Sequence, residues 1–289
     1  MNPGTRFREA LQQDHPLLLP GAFSPTSAML VQRAGFRAAY LSGSGVAAAL
    51  GLPDLGMTTL TEVAAETRRL TAATPELPFI VDADTGFGSS ELNIHRTVQE
   101  LIHAGAAGIH LEDQDGAKRC GHRPNKRIVA KEEMVARLAA ANSARMDHSP
   151  AFFLIARTDA FGHEGIDATI ERCNAYVEAG ADALFPEALT SLEEYEAVCK
   201  GVNRPVLANI TEFGKTPMFT ADELFKVGVR IVLFPLTLFR VSLGSVARAA
   251  RELRREGTQK GLVDEMFTRE QFYDLIHYHD YEERLDSSR

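Results

Sequence analysis

The stretch FIVDADTGFGSSELNIHRTVQELIHAGAAGIHLED, Phe79 to Asp113, holds one full repeat of the pattern that decides the fold. Its two ends, Phe79–Val81 and Gly108–Leu111, are short apolar runs without polar alternation. Such runs suit parallel strands covered on both faces, whereas a half-solvated strand alternates. Between them, Leu92 to Ala104 sets Ile94, Val98, Leu101 and Ile102 at helical spacing and stops at Gly105, a natural C-terminal residue for a helix. Each apolar run leads straight into acids: Asp82 and Asp84 after the first, Glu112 and Asp113 after the second.

Outward from this unit, the same alternation recurs roughly every 25 to 40 residues. The other expected strands are Leu17–Leu19, Ala38–Leu41, Phe152–Ala156, Ala183–Phe185, Val206–Ala208 and Arg230–Phe234, making eight in all. Helix starts are marked by Thr59-x-x-Glu62, Ser191-x-x-Glu194 and Thr220-x-x-Glu223, where side chains satisfy the unpaired amides of a first turn. Eight βα units in series predict a single α/β domain, a closed (β/α)8 TIM-type barrel spanning 1–289. A doubly wound open sheet is the alternative, but no Gly-rich dinucleotide fingerprint follows the first strand. From about 241 to 289 the chain adds further helix, with a start at Thr268-x-x-Gln271. This C-terminal extension is surplus to eight units and is expected to pack on another subunit.

The bulk properties narrow the function. The chain has 289 residues and a net charge of −8, which argues against nucleic acid or an anionic membrane as partner. It contains no run of about 18 apolar residues, so no membrane-spanning helix is expected. The N-terminal MNPGTRFREALQQDHP lacks the apolar stretch of a signal peptide, and three scattered cysteines make no disulfide framework. A reduced, cytoplasmic setting is expected. A small anionic substrate would need a local cationic place, for which Lys118, Arg119, His122, Arg123, Lys126 and Arg127 are candidates; a solvated basic loop is the plain alternative.

Position carries the functional reading. Polar groups crowd just past the strands: Ser42, Asp82 and Asp84, Glu112 and Asp113, Arg157 and Asp159, Glu187, then Asn209 and Thr211. In a barrel of this kind all strand C-termini open on one face, where active sites are built. Any one acid could be a helix cap, but caps do not explain carboxylate, amide or guanidinium groups after five consecutive strands. Asp82, Asp84, Glu112 and Glu187 are oxygen donors, which suit Mg²⁺, with Mn²⁺ as the alternative. No HxxxH, HExxH or paired CxxC spacing points to zinc. Cys173 and Cys199 fall in helical patterns and read as small buried hydrophobes, whereas Cys120 sits in a polar, glycine-containing KRCGHR. Its cationic neighbours are expected to lower the thiol pKa and favour proton transfer.

KRCGHRPNK (Lys118–Lys126) resembles the signature loop of the isocitrate lyase and phosphoenolpyruvate mutase superfamily, and most closely its methylisocitrate lyase branch. Agreement extends in order over nearly the whole chain: Tyr40–Asp54, Val81–Gly88, Gly108–Gln114, Ala156–Ala160, Phe185–Ala188, Leu207–Gly214 and Glu256–Lys260. The resemblance implies a Mg²⁺-dependent carbon–carbon lyase cleaving 2-methylisocitrate to pyruvate and succinate, a step of propionate catabolism through the methylcitrate cycle. It implies metal-site acids at Asp82 and Asp84, with Asp54 and Glu112 in an outer shell. Ser42, Gly43 and Ser44 would hold the carboxylate and carbonyl end of the substrate, and Arg157 and Glu187 would serve the substrate and metal network. Asn209, Ile210, Thr211, Arg240 and Arg269 would contact the succinate side, and Phe185 and Leu233 would line a methyl pocket. Cys120, flanked by Gly121 and His122, would be the general acid, with Tyr40 or a network carboxylate as proton acceptor. Loop 115–127 would close over substrate, and the protein would be a homotetramer that exchanges its C-terminal helices. The chain departs from the branch at Ser44, where glycine is usual, and the following VAAALGLPD is one residue short. Isocitrate lyase and dimethylmalate lyase-like activities are the catalytic alternatives. A non-catalytic dicarboxylate-binding barrel is the other class, and a Schiff-base aldolase is disfavoured because no lysine ends a strand.

Overall fold

Eight short apolar strands form in this chain because each is followed by a helix that covers its outer face, leaving both faces dry. They are β1 (Leu17–Pro20), β2 (Ala39–Leu41), β3 (Phe79–Asp82), β4 (Gly108–Glu112), β5 (Phe153–Thr158), β6 (Ala183–Pro186), β7 (Leu207–Asn209) and β8 (Ile231–Phe234). The computed structural model describes residues 1–88 and 90–288; Ser89 and Arg289, inside the expected domain, lie outside the described residues. All paired strands are parallel, in the orders β2-β3-β4-β5-β6 and β7-β8-β1. The bridges Gly21↔Tyr40 and Leu184↔Val206 join the two sets and close the ring. This is the (β/α)8 barrel that the repeat pattern predicts, and the open sheet is excluded.

The helices, in chain order, are α1 (Pro3–Gln13), α2 (Pro25–Arg33), α3 (Gly43–Ala49), α4 (Leu60–Ala73), α5 (Glu91–His103) and α6 (Lys131–His148), then α7 (Phe161–Glu178), α8 (Leu192–Gly201), α9 (Ala221–Lys226), α10 (Thr237–Glu256), α11 (Arg269–Leu275) and α12 (Tyr278–Ser287). The capping boxes at Thr59, Ser191, Thr220 and Thr268 all form. On α5, Ile94, Val98 and Leu101 are buried as the spacing requires, and Gly105 follows the last turn at φ 87. Inside the ring, Leu17, Leu19, Ile80, Ile155, Leu207 and Ile231 pack with Phe7, Ala10 and Leu11 of α1, which plugs one end.

The strand limits differ from the sequence reading in one direction. Ala38, Phe152, Val206 and Arg230 precede their strands, while Asp82, Glu112, Arg157 and Asn209 belong to strand ends rather than to the loops beyond. Polar residues can end a buried strand here because they face one another at the barrel mouth. The ladder then holds their main chains rigidly, which favours a preorganised site.

The C-terminal helices leave the barrel. The eighth barrel helix, α10, begins at Thr237, ahead of the expected extension, and no residue of it is fully buried. Val241, Leu243, Val246 and Leu253 are exposed along it. α11 touches the body mainly at α2, where Arg33 pairs with Asp274.

Candidate active site

The strand ends and the loop 115–127 enclose a cavity of about 90 Å³ at the barrel mouth. It is lined by Tyr40, Ser42, Ser44, Asp54, Asp82, Cys120, Gly121, His122, Arg157, Phe185, Glu187, Asn209, Thr211, Leu233 and Arg240, among others. These side chains come from six of the eight strand ends and from the β4–α6 loop, and only the closed ring could assemble them.

One wall is acidic. Asp82 accepts the Gly43 N–H on Oδ2 at 3.0 Å and the Asp84 N–H on Oδ1 at 3.1 Å. Gly43 is needed for this approach, because a Cβ there would stand 3.0 Å from Asp82 Oδ2. Asp84 takes a left-handed backbone, φ 47, which aspartate tolerates better than most residues. Lys118 Nζ lies 2.5 Å from both Asp54 Oδ1 and Asp84 Oδ1. Burial, and then the negative charge of Asp82, push the Asp84 carboxyl up to about 7. Asp82 goes the other way: against the cost of burial, the positive fields of Lys118 and Arg157 and the hydrogen bond from the Asp84 N–H hold it ionised. Like charges at close range split in this way.

This wall fits a hard divalent cation. The donors are oxygens, and Glu112 Oε1 is buried with no hydrogen-bond partner. Among the described residues, no three His, Cys, Asp or Glu side chains converge on one point. Asp82 and Asp84 are the residues of this wall that could hold such an ion, and a site with so few protein ligands suits Mg²⁺, which usually keeps several waters.

The opposite wall pairs cation with anion. Arg157 is buried, with Nη1 3.1 Å from Glu112 Oε2 and Nε 3.0 Å from Asp159 Oδ2, and its guanidinium lies over the Phe185 ring. Glu187 Oε1 lies 2.8 Å from His122 Nε2, and Asn209 Nδ2 donates to both Glu187 oxygens at 3.2 and 3.3 Å. Although burial opposes it, Arg157 and the His122 contact hold the Glu187 carboxyl below its ordinary range. Arg240 donates to Glu212 Oε2 at 2.6 Å and to the Glu212 carbonyl at 2.7 Å.

The loop that carries Cys120 is stapled at its base, where Asp115 N–H donates to the Arg127 carbonyl and Val129 N–H to that of Asp113. Its tip packs over the cavity, and His122 Nδ1 accepts the Lys215 N–H at 2.9 Å.

Several expectations need correction. The Cys120 thiol is pushed up, not down: burial dominates, and the backbone hydrogen bond at His122 opposes it only in part. A protonated thiol at neutral pH still suits an acid. Four of the six groups in the basic run already face carboxylates: Lys118 meets Asp54 and Asp84, Lys126 meets Asp159, His122 meets Glu187 and Arg127 meets Asp115. The Ile210 side chain packs outside the ring with Leu189, Tyr195 and Leu224, and its N–H is taken by the Leu233 carbonyl. Arg269 is exposed on α11 and does not line this cavity.

Sequence reasoning passed over His110, whose Nε2 lies 2.7 Å from the Tyr40 hydroxyl and 3.2 Å from Asp82 Oδ1. Burial pulls this imidazole down to about 4, so it is neutral near pH 7. Burial and the charge of Asp82 raise the Tyr40 phenol well above its usual range, making it a hydrogen-bond donor in this arrangement. His110 sits inside an apolar strand, and its only signal was a polar residue between Ile109 and Leu111.

A barrel whose mouth joins an oxygen-donor wall to a loop-borne thiol suits the class of carbon–carbon lyases and mutases acting on small oxo- and hydroxy-acids. The family model described as phosphoenolpyruvate phosphomutase matches residues 7–254. The chain is 54% identical to 2-methylisocitrate lyase of Escherichia coli (strain K12) over 287 residues, covering 99% of this chain and 96% of that protein. In structure it resembles 2,3-dimethylmalate lyase, with a TM-score of 0.91, 32% identity and coverage of 100% of this chain and 95% of that one. A phosphonopyruvate hydrolase bound to oxalate and Mg²⁺ also matches, with a TM-score of 0.87, 26% identity and coverage of 100% and 99%. The chain belongs to the phosphoenolpyruvate mutase and isocitrate lyase superfamily, in the branch whose members are named 2-methylisocitrate lyase. Among the described residues no helix is long and apolar enough to cross a membrane.

Proposed function

We propose that the protein is a Mg²⁺-dependent lyase that cleaves 2-methylisocitrate into pyruvate and succinate. The observation that carries this reading is the meeting, in one cavity, of Asp82 with the Cys120 loop, Arg157, Glu187 and Asn209, while Asp84 stands behind Asp82 on Lys118. Asp82 and Asp84, with Asp54 and Glu112 behind, would hold a divalent ion, which would supply positive charge toward the substrate hydroxyl and its neighbouring carboxylate. Mn²⁺ has the same donor preference.

Bond cleavage requires the hydroxyl to lose its proton, so that its carbon becomes the carbonyl of pyruvate. Ser42 caps α3 without a side-chain capping bond, which leaves its hydroxyl for the substrate end held by Gly43 and Ser44. Tyr40 faces the same end; with a bound cation opposing the fields that now keep its phenol protonated, its phenolate would accept the hydroxyl proton. The departing fragment carries enolate-like charge. Asn209, Thr211, Arg240 and Cys120 line the same cavity, which supports a reading in which the first three would stabilise that charge and Cys120 would protonate it. Phe185 and Leu233 offer apolar contact for the substrate methyl group.

The exposed apolar residues of α10 and the outlying Arg269 support a homotetramer in which C-terminal helices exchange, bringing Arg269 to a neighbouring site. A soluble cytoplasmic enzyme of propionate breakdown fits these features.

The test is release of pyruvate from 2-methylisocitrate, with isocitrate and 2,3-dimethylmalate in parallel and EDTA as control. EDTA-sensitive pyruvate release, fastest from 2-methylisocitrate, is the expected result. Preferred glyoxylate release from isocitrate would overturn the substrate assignment, and succinate binding without turnover of any substrate would leave a binding barrel.

A further inference from the structure

The main chain on both sides of Cys120 is held by one buried carboxylate. Gln114 clamps Arg119 at two points: its Oε1 accepts the Arg119 N–H at 2.9 Å and its Nε2 donates to the Arg119 carbonyl at 2.8 Å. The same Nε2 reaches Asp159 Oδ2 at 3.2 Å. On the other side, Lys126 Nζ donates to the Gly121 carbonyl and to Asp159 Oδ1, both at 2.5 Å. The residues just before and just after the thiol therefore lead back to Asp159. Asp159 also binds the Arg157 guanidinium, at 3.0 Å from Nε and 3.3 Å from Nη2. Its N–H donates to Asp113 Oδ1 at 2.9 Å, which anchors it to the end of β4.

An ammonium buried as deeply as that of Lys126, 6% exposed, is costly unless it is paired and hydrogen-bonded, so its presence here needs a reason. A surface loop could be closed by exposed contacts alone. A buried pair instead fixes one geometry, because half of it cannot move without stranding the other charge. Gly121 lies against Arg157 and Glu187 at distances that admit no Cβ, so the Gly121 carbonyl must be aimed within a narrow range.

We propose that Asp159, Gln114 and Lys126 form a positioning network that sets the Cys120 thiol against the Arg157–Glu187 wall. None of the three lines the cavity, so they act through the loop backbone and not on substrate. The network also ties the loop to Arg157: the carboxylate that orients the guanidinium is the one that receives the loop lysine. A misplacement near 1 Å at a reacting group can cost about 10²-fold in rate. This inference rests on the reading of Cys120 as the acid, but its geometric content does not.

The experiment compares wild type with Lys126→Met, Lys126→Arg and Gln114→Leu in the full-length protein. Two quantities are measured: kcat and KM for 2-methylisocitrate, and the rate of Cys120 alkylation by iodoacetamide without substrate, read by mass spectrometry of the loop peptide. The expected result for Lys126→Met is a fall in kcat of about 10-fold or more with KM changed less than about threefold, because groups that act on placement alter the chemical step more than ground-state binding. Alkylation should accelerate as the loop loses its anchor, Lys126→Arg should recover part of both, and Gln114→Leu should reproduce both signs from the other side of the thiol. Wild-type kcat and alkylation in Lys126→Met and Gln114→Leu would overturn the proposal. The alkylation arm needs no substrate, so it decides the positioning claim even if wild type turns over none of the acids tested, an outcome that would overturn only the proposed function.

Discussion

Gly121 and Glu187 are in contact so close that a Cβ on Gly121 would stand 2.4 Å from Glu187 Cγ and 2.5 Å from Arg157 Nη2. The glycine next to the thiol is thus an admission ticket for the loop: no other residue lets the tip reach the barrel mouth. Gly121→Ala is expected to keep the fold, since the loop adds little to the core, and to lower kcat/KM by about 10²-fold or more through misplacement of the acid. Thermal denaturation and steady-state kinetics check both halves. Near-normal turnover would show that the loop can seat by another path.

Cys120→Ser and Cys120→Ala are expected to fold normally and lose about 10²–10⁴ in turnover, the usual worth of a positioned acid. Burial raises the thiol pKa, so the acidic form predominates at neutral pH. Activity within a few-fold of wild type would remove Cys120 from the reaction.

Metal binding should strengthen with rising pH. The Asp84 carboxyl is pushed up to about 7 by burial and by Asp82. Protons therefore compete for this ligand below that value, and the competition disappears above it. The rise in melting temperature on adding Mg²⁺ should be larger at pH 8 than at pH 6, with calorimetric affinity following the same order. An equal shift at both would mean that Asp84 is already ionised, with Lys118 sufficient to hold it so.

His110 sets a limit on acid stability. Its imidazole is pulled down to about 4 in the folded chain by burial, against an ordinary value near 6.5. Between those values the unfolded chain binds the extra proton, so stability rises with pH across the window. Urea midpoints should fall from pH 6.5 toward 4, and less steeply in His110→Asn. Identical slopes would assign the acid lability to other groups.

Glu212 holds Arg240 by side chain and carbonyl, although nothing in the sequence marked it. Glu212→Gln keeps the shape but removes the charge that aims the guanidinium. It should raise KM for substrate several-fold, about 1 kcal/mol, because the hydrogen bond is weakened to a neutral one and not lost, with kcat less affected. An unchanged KM would show that Arg240 is placed by Thr211 and the helix alone.

The eight-fold alternation of apolar runs and amphipathic helices was enough to decide the barrel, because burial on both strand faces leaves a pattern that local composition carries. The acids and amides at the strand ends were legible for the same reason: polar residues directly after dry runs stand out. The capping boxes at Thr59, Ser191, Thr220 and Thr268 could be read from four residues each. What each polar group does could not be read so. Lys118 and Lys126 look like any basic loop until closure of the ring places them beside Asp84 and Asp159. The thiol pKa rises because the barrel mouth partly desolvates a residue that keeps an exposed edge, and this outweighs the neighbouring cations visible in KRCGHR. His110 and Glu212 have local signals no stronger than those of ordinary residues, since their roles are contacts across tens of residues of chain. Local pattern determined which segments would be strands, helices and mouth; solvent exclusion and charge pairing, which depend on everything the chain brings together, decided which groups are free to act.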